Sequence, residues 1–144
     1  MLKGVNWIAV IIAVVLIEGL GFLWYGPLFG SAWTAALGHA VDTSNANRAN
    51  MLMGLGVVNS LIVVLGLSWL MRMAGAATLM AALTTAFWGW LFFAGTTQAL
   101  EYLYMGMSGR LVAINMGYLV VAFLIAGATG VELLFTSIAL TRCS

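Results

Sequence analysis

The sequence predicts an all-α integral membrane protein, a bundle of four transmembrane helices with a short interfacial helix between the first two. Three observations carry this. The 144 residues are 64% hydrophobic and 6% charged, where soluble domains carry roughly 25% charged residues. No soluble fold of this size hides so much apolar surface, so the solvent must be lipid. Four apolar runs of about 20 residues are each long enough to cross roughly 30 Å of hydrocarbon. Glycines, a single proline and polar clusters separate these runs.

The first span reads from about Val5 to Tyr25. Met1-Leu2-Lys3 has the look of a signal-peptide start, but the following run is too long, holds Glu18 and lacks a cleavage pattern, which predicts a retained span. Trp7 at one end and Trp24 and Tyr25 at the other are placed as interfacial aromatics. Pro27 lacks a donor and restricts Gly26, which predicts a helix stop. The stretch 28–37 is too short to span, and Phe29, Trp33 and Leu37 recur at helical spacing, as in an amphipathic helix lying in the interface. Gly38 is its expected C-cap. Residues 39–50 are the most polar part of the chain, and Asp42, Thr43 and Ser44 offer N-caps for the next helix.

The second span reads from about Met51 to Met71, with Gly54, Gly56, Ser60 and Gly66 allowing close helix approach. A tight turn at 73–77 makes it an antiparallel neighbour of the third span, about Ala77 to Thr97, whose expected packing seam is Ala81, Thr85 and Gly89. Residues 98–110 read as a second surface loop, with Tyr102 and Tyr104 at the interface and a turn at Ser108-Gly109. The fourth span reads from about Leu111 to Val131, with apolar residues continuing past Glu132 to Leu140. The whole chain, 1–144, reads as a single transmembrane domain.

Four spans put both termini on one side, with Lys3, Arg72 and Arg142, against Arg48 and Arg110 on the other. The positive-inside rule then favours cytoplasmic termini. A net charge of +1 gives no basic patch and excludes a nucleic-acid reading. The single cysteine, Cys143, makes neither an internal disulfide nor a cysteine metal cluster. His39 is a lone candidate metal ligand without a second histidine or cysteine beside it. Gly54-x-Gly56 lacks the strand and third glycine of a dinucleotide site, and no nucleophile or metalloprotease motif occurs.

Polarity inside the spans is sparse, and Glu18 stands out. It lies about 4.5 Å from the midplane of its span at 1.5 Å per residue, where a charge costs at least about 2.5 kcal/mol on the mildest insertion scale. It must face protein, a water-filled cavity, or be protonated. Lining up four antiparallel spans brings Asn59, Trp90 and Tyr118 to the depth of Glu18, with Asn115 one turn nearer the surface. Such a layer is either interhelical glue or a ligand or proton site built on Glu18; a third reading turns Glu18 toward a partner subunit. Trp88 and Trp90 near mid-span also read as plain space-filling.

Val5-Asn6-Trp7, followed by Phe22-Leu23-Trp24-Tyr25-Gly26-Pro27-Leu28-Phe29-Gly30-Ser31-Ala32-Trp33, resembles the opening of the bacterial membrane family known as domain of unknown function 1761. Leu111 to Tyr118 (LVAINMGY) resembles that family's IN-x-GY segment, and Glu101 an acidic residue that often precedes it. The resemblance spans about residues 5–130 and implies a four-span protein of a bacterial inner membrane with no established activity. It implies that the shared positions are Trp24, Tyr25, Gly26, Pro27, Asn115, Gly117 and Tyr118, with Glu18 a local feature.

Three function classes follow. Near-absent loops and glycine-alanine seams favour a small accessory or structural subunit, packed against a larger membrane complex or copies of itself. The alternative is a homo-oligomeric binding or transport module for a small lipophilic ligand or a proton, using the layer around Glu18. A membrane-embedded enzyme is least supported, since no nucleophile-base or metal constellation is present. The expected surroundings are the lipid bilayer, and no cofactor is indicated.

Overall fold

The computed structural model describes residues 6–38 and 45–141, with side chains as far as residue 130. His39, Asp42, Thr43, Ser44, Cys143 and the side chain of Glu132 therefore lie outside the described residues. The chain is all-α, with no strand among the described residues: α1 (Trp7–Leu23), α2 (Gly30–Leu37), α3 (Ala46–Met73), α4 (Leu79–Gly89), α5 (Thr96–Tyr104) and α6 (Gly109–Thr141). A π-helical turn, Trp24–Leu28, extends α1, and another, Trp90–Gly95, joins α4 to α5. Four stretches are long and apolar enough to cross a membrane: Trp7–Leu28, Ala46–Met73, Leu79–Tyr104 and Gly109–Gly130. Such helices are what lipid demands, since every backbone N–H and C=O must be satisfied within its own segment.

The helix ends have local causes. Asn6 caps α1, its side-chain oxygen accepting from the N–H groups of Ile8 at 3.1 Å and Ala9 at 3.4 Å. Asn45, not one of the three expected residues before it, caps α3, accepting from the N–H groups of Asn47 at 3.0 Å and Arg48 at 3.3 Å. Gly38 ends α2 with φ 80°, the left-handed C-cap that the sequence predicts. Pro27 does not stop the first span outright. The chain widens into a π turn closed by the Phe29 N–H on the Trp24 carbonyl at 2.9 Å, and Gly26 leaves helical geometry at φ −102°, ψ −106°.

Residues 98–104, which read as loop, are helix. The third span breaks its α register at Trp90 but continues to Tyr104, and Gly106 at φ 65° makes the turn. Ser108 is the cap of α6, its hydroxyl oxygen accepting from the Leu111 N–H at 3.3 Å.

Helix α6 packs against α1, α3 and α4. Its half beyond Tyr118 presents small residues to them: Ala122 and Ala126 are buried, and a Cβ on Gly127 would sit 2.7 Å from the Ala86 Cβ. Gly130 likewise admits Met71. The buried face of α4 is Ala82, Ala86 and Gly89, one residue round from the expected seam of Ala81, Thr85 and Gly89. Close backbone approach of this kind is how helices associate where lipid removes the hydrophobic drive. The other end of the bundle, around the first π turn, α2, α5 and the start of α6, is built differently.

Candidate ligand site at the Asn115 end

Asn115 lies one turn and a half into α6, half-buried beneath α2. Its carboxamide oxygen accepts from the Tyr25 hydroxyl at 3.0 Å and from the Trp33 indole N–H at 3.1 Å, and its amide N–H donates to the Tyr102 hydroxyl at 3.1 Å. An indole N–H only donates, so the oxygen must face Trp33 and the nitrogen Tyr102. One side chain thus ties together the π turn after α1, α2, α5 and α6.

The aromatic rings complete the frame. Tyr25 lies edge-on to Trp33 at 5.4 Å between centroids and 5.1 Å from Tyr118. Trp24 packs on Phe29 at 4.8 Å and donates its indole N–H to the Ile114 carbonyl at 3.0 Å. Gly117 makes room for it: a Cβ there would stand 3.0 Å from the Trp24 ring. Gly30 is required in the same corner, since a Cβ would come within 2.7 Å of the Tyr25 carbonyl oxygen. Without that turn Trp33 would not reach Asn115.

These groups line an open cavity of about 360 Å³ whose wall is Tyr25, Trp33, Gln98, Tyr102, Asn115, Tyr118 and Leu119. Its unused hydrogen-bonding capacity follows from the bonds already made. Asn115 keeps a second N–H, and Tyr102, accepting from Asn115, keeps its own O–H. The Gln98 amide and the Tyr118 hydroxyl have no hydrogen-bond partner among the described residues. The wall carries no carboxylate and no basic side chain. It offers donors and ring faces to an uncharged guest.

Glu18 occupies a separate place. The Ser60 hydroxyl donates to Glu18 Oε1 at 2.6 Å, and Gly56 lets Oε2 approach, a Cβ there lying 3.5 Å away. Glu18 also borders an apolar groove of about 570 Å³ between α1 and α3, with Trp7, Val10, Ile11, Val14 and Leu61. Of the residues expected at its depth, Asn59 is exposed on another face of α3 and makes no bond to it. The Trp90 indole N–H is buried with no partner among the described residues. Tyr118 packs over Gly21, its hydroxyl 3.3 Å from where a Cβ would stand there. The four do not form one hydrogen-bonded layer. Glu18 pairs with Ser60, while Tyr118 belongs to the Asn115 cavity. Among the described residues no group of three or more His, Cys, Asp or Glu side chains is placed to hold a metal.

The profile of a family described as "Protein of unknown function (DUF1761)" matches residues 8–130. The chain belongs to this family. The match covers all seven residues that line the cavity and every position of the two motifs from Trp24 to Tyr118. No curated protein and no solved structure matches the chain. Membership in DUF1761 therefore brings no activity with it, and the four spans are read from this chain's own helices. What the structure adds is that Trp24, Tyr25, Gly117 and Tyr118, distant in sequence, converge around Asn115.

Gln98 and Tyr102 escape a reading of the sequence by motif, and Trp33, which closes the first motif, gives no sign there of its bond to Asn115. Trp33 reads as an interfacial anchor, and the other two as loop. Gly56 and Ser60 read as positions of close helix approach, and they are where α1 meets α3; what the sequence does not show is that Ser60, and not the more polar Asn59, bonds Glu18.

Proposed function

We propose that this protein is a binding module for a small, uncharged, lipophilic molecule carrying a carbonyl-type oxygen, held in the Asn115 cavity. The observation that supports this is the spare donors: the second N–H of Asn115 and the O–H of Tyr102 stand at a cavity whose other walls are the rings of Tyr25, Trp33 and Tyr118 with Gln98 and Leu119. A cavity with a few convergent polar groups in an apolar lining is the usual form of a small-molecule site. Charged guests are disfavoured, because the lining holds no countercharge and sits in a low-dielectric setting. The reading moves the site from Glu18 to Asn115, and makes the aromatic cluster a cradle.

A second reading keeps the module structural, as an accessory subunit of a larger inner-membrane complex. Its support is that Asn115 cross-braces four segments by hydrogen bonds that need no guest. One experiment separates the two. Protein is purified from its own membrane in mild detergent, and bound small molecules are identified by mass spectrometry for wild type, Tyr102→Phe and Gln98→Leu. Both substitutions leave the Tyr25 and Trp33 bonds to Asn115 in place. The binding reading expects a neutral oxygen-bearing compound near one per chain in wild type, reduced at least about fivefold in each variant. Identical small-molecule content in all three, with only lipid present, overturns it.

A further inference from the structure

Helix α3 carries a second feature unconnected with the cavity. Leu52, Leu55, Asn59, Ile62, Gly66 and Trp69 recur at alternating spacings of three and four residues, the pattern of a coiled-coil seam. All six are exposed: Leu52 42%, Leu55 58%, Ile62 64% and Trp69 45%, with Asn59 and Gly66 in the same class. The seam runs about 25 Å along the helix at 1.5 Å per residue, most of the hydrocarbon thickness. Asn59 is at its middle, the fourteenth of the 28 residues of α3, and its amide has no hydrogen-bond partner among the described residues. Gly66, one heptad on, has nothing within 4 Å of where a Cβ would be.

A leucine or isoleucine facing lipid is satisfied there; a primary amide is not. Its donors and acceptor lack partners in hydrocarbon, and in membranes such groups drive helix association. The outer face of α1 makes the contrast. Ile8, Ile12, Val15, Gly19 and Phe22 also follow heptad spacing and are exposed, yet all are apolar, so nothing there calls for a partner.

We infer that the α3 seam is the interface with a second copy of this chain, paired about a two-fold axis along the membrane normal. Copies inserted in the same orientation place identical residues at identical depth, so α3 meets α3 in parallel and Asn59 meets Asn59. The carboxamide suits that encounter because it both donates and accepts, and can close a bond with its own copy. A single Asn at a core position of a parallel seam fixes register and copy number. Gly66 lets the two backbones approach closely on one side of it.

The test is self-association in lipid vesicles, read by energy transfer between copies labelled on Cys143, as the protein-to-lipid ratio falls. Wild type associates; Asn59→Leu weakens association roughly tenfold; and Asn59→Gln, which keeps the amide, stays within about threefold of wild type. In a Cys143→Ser background, Ile62→Cys cross-links two copies under oxidation, while Ile12→Cys, on the apolar face of α1, does not. A wild type that is monomeric at every ratio overturns the inference, as does an Asn59→Leu variant that associates like wild type. A cross-link from Ile62→Cys to a different protein in the native membrane overturns the choice of a second copy.

Discussion

The two ends of this bundle solve the same problem by opposite means. At the end around Ala86, Gly127 and Gly130, small residues let the helices close in, Gly127 against Ala86 and the Ala82 backbone and Gly130 around the buried Met71 side chain. At the end around Asn115 the side chains are large and polar, the contacts are hydrogen bonds and ring edges, and a cavity of about 360 Å³ remains. In lipid, burial of apolar surface distinguishes folded from separated helices only weakly, so association rests on close packing and on polar bonds. Here each is assigned to its own end. The packed end supplies rigidity, and the bonded end holds a frame open. That division is what a small protein needs if one part is to bind while the other keeps the helices together.

The comparison can be broken most strongly at the packed end. Gly127→Leu drives a branched side chain into Ala86 and the Ala82 carbonyl, and is expected to cost about 3 kcal/mol or more, at the upper range for overpacking. Unfolding in mixed micelles measures it, and Ala86→Gly in the same chain should restore part of the loss. Full stability in Gly127→Leu alone would mean that the helices are not held by close approach.

At the other end Asn115→Leu removes three bonds at once. At about 0.6 kcal/mol per interhelical bond in a membrane, the expected loss is about 2 kcal/mol. It should come with greater exposure of Trp33, read as a red shift in tryptophan emission. A loss as large as that of Gly127→Leu would erase the distinction between the ends. The smallest effect belongs to the isolated pair between them. Ser60→Ala deletes the one bond to Glu18 and is expected to lower stability by about 0.5–1 kcal/mol, leaving small-molecule content unchanged. If Ser60→Ala also empties the protein of its bound compound, the site extends to Glu18.

Much of this was legible before any coordinates. The apolar runs place the four spans, and motif resemblance singles out Tyr25, Asn115 and Tyr118. The partners of those residues were not legible, and the π turns are the reason. Each adds one residue to a helical turn, which rotates all that follows by about 100° relative to a continuous α-helix. Trp90–Gly95 sets the face on which Gln98 and Tyr102 emerge, and Trp24–Leu28 sets where α2 begins and so where Trp33 points. Pro27 marks the first of these turns in the sequence; nothing comparable marks the second.

Span, helix and membrane class belong to the sequence by itself, because in hydrocarbon each segment must satisfy its own backbone, and length and apolarity within one segment decide that locally. Which polar side chain meets which is a property of four helices together. Asn59 and Ser60 are neighbours in the chain, yet one bonds Glu18 and the other faces outward. A single residue turns a side chain by about 100° about the helix axis, and only the packed bundle says which direction is inside.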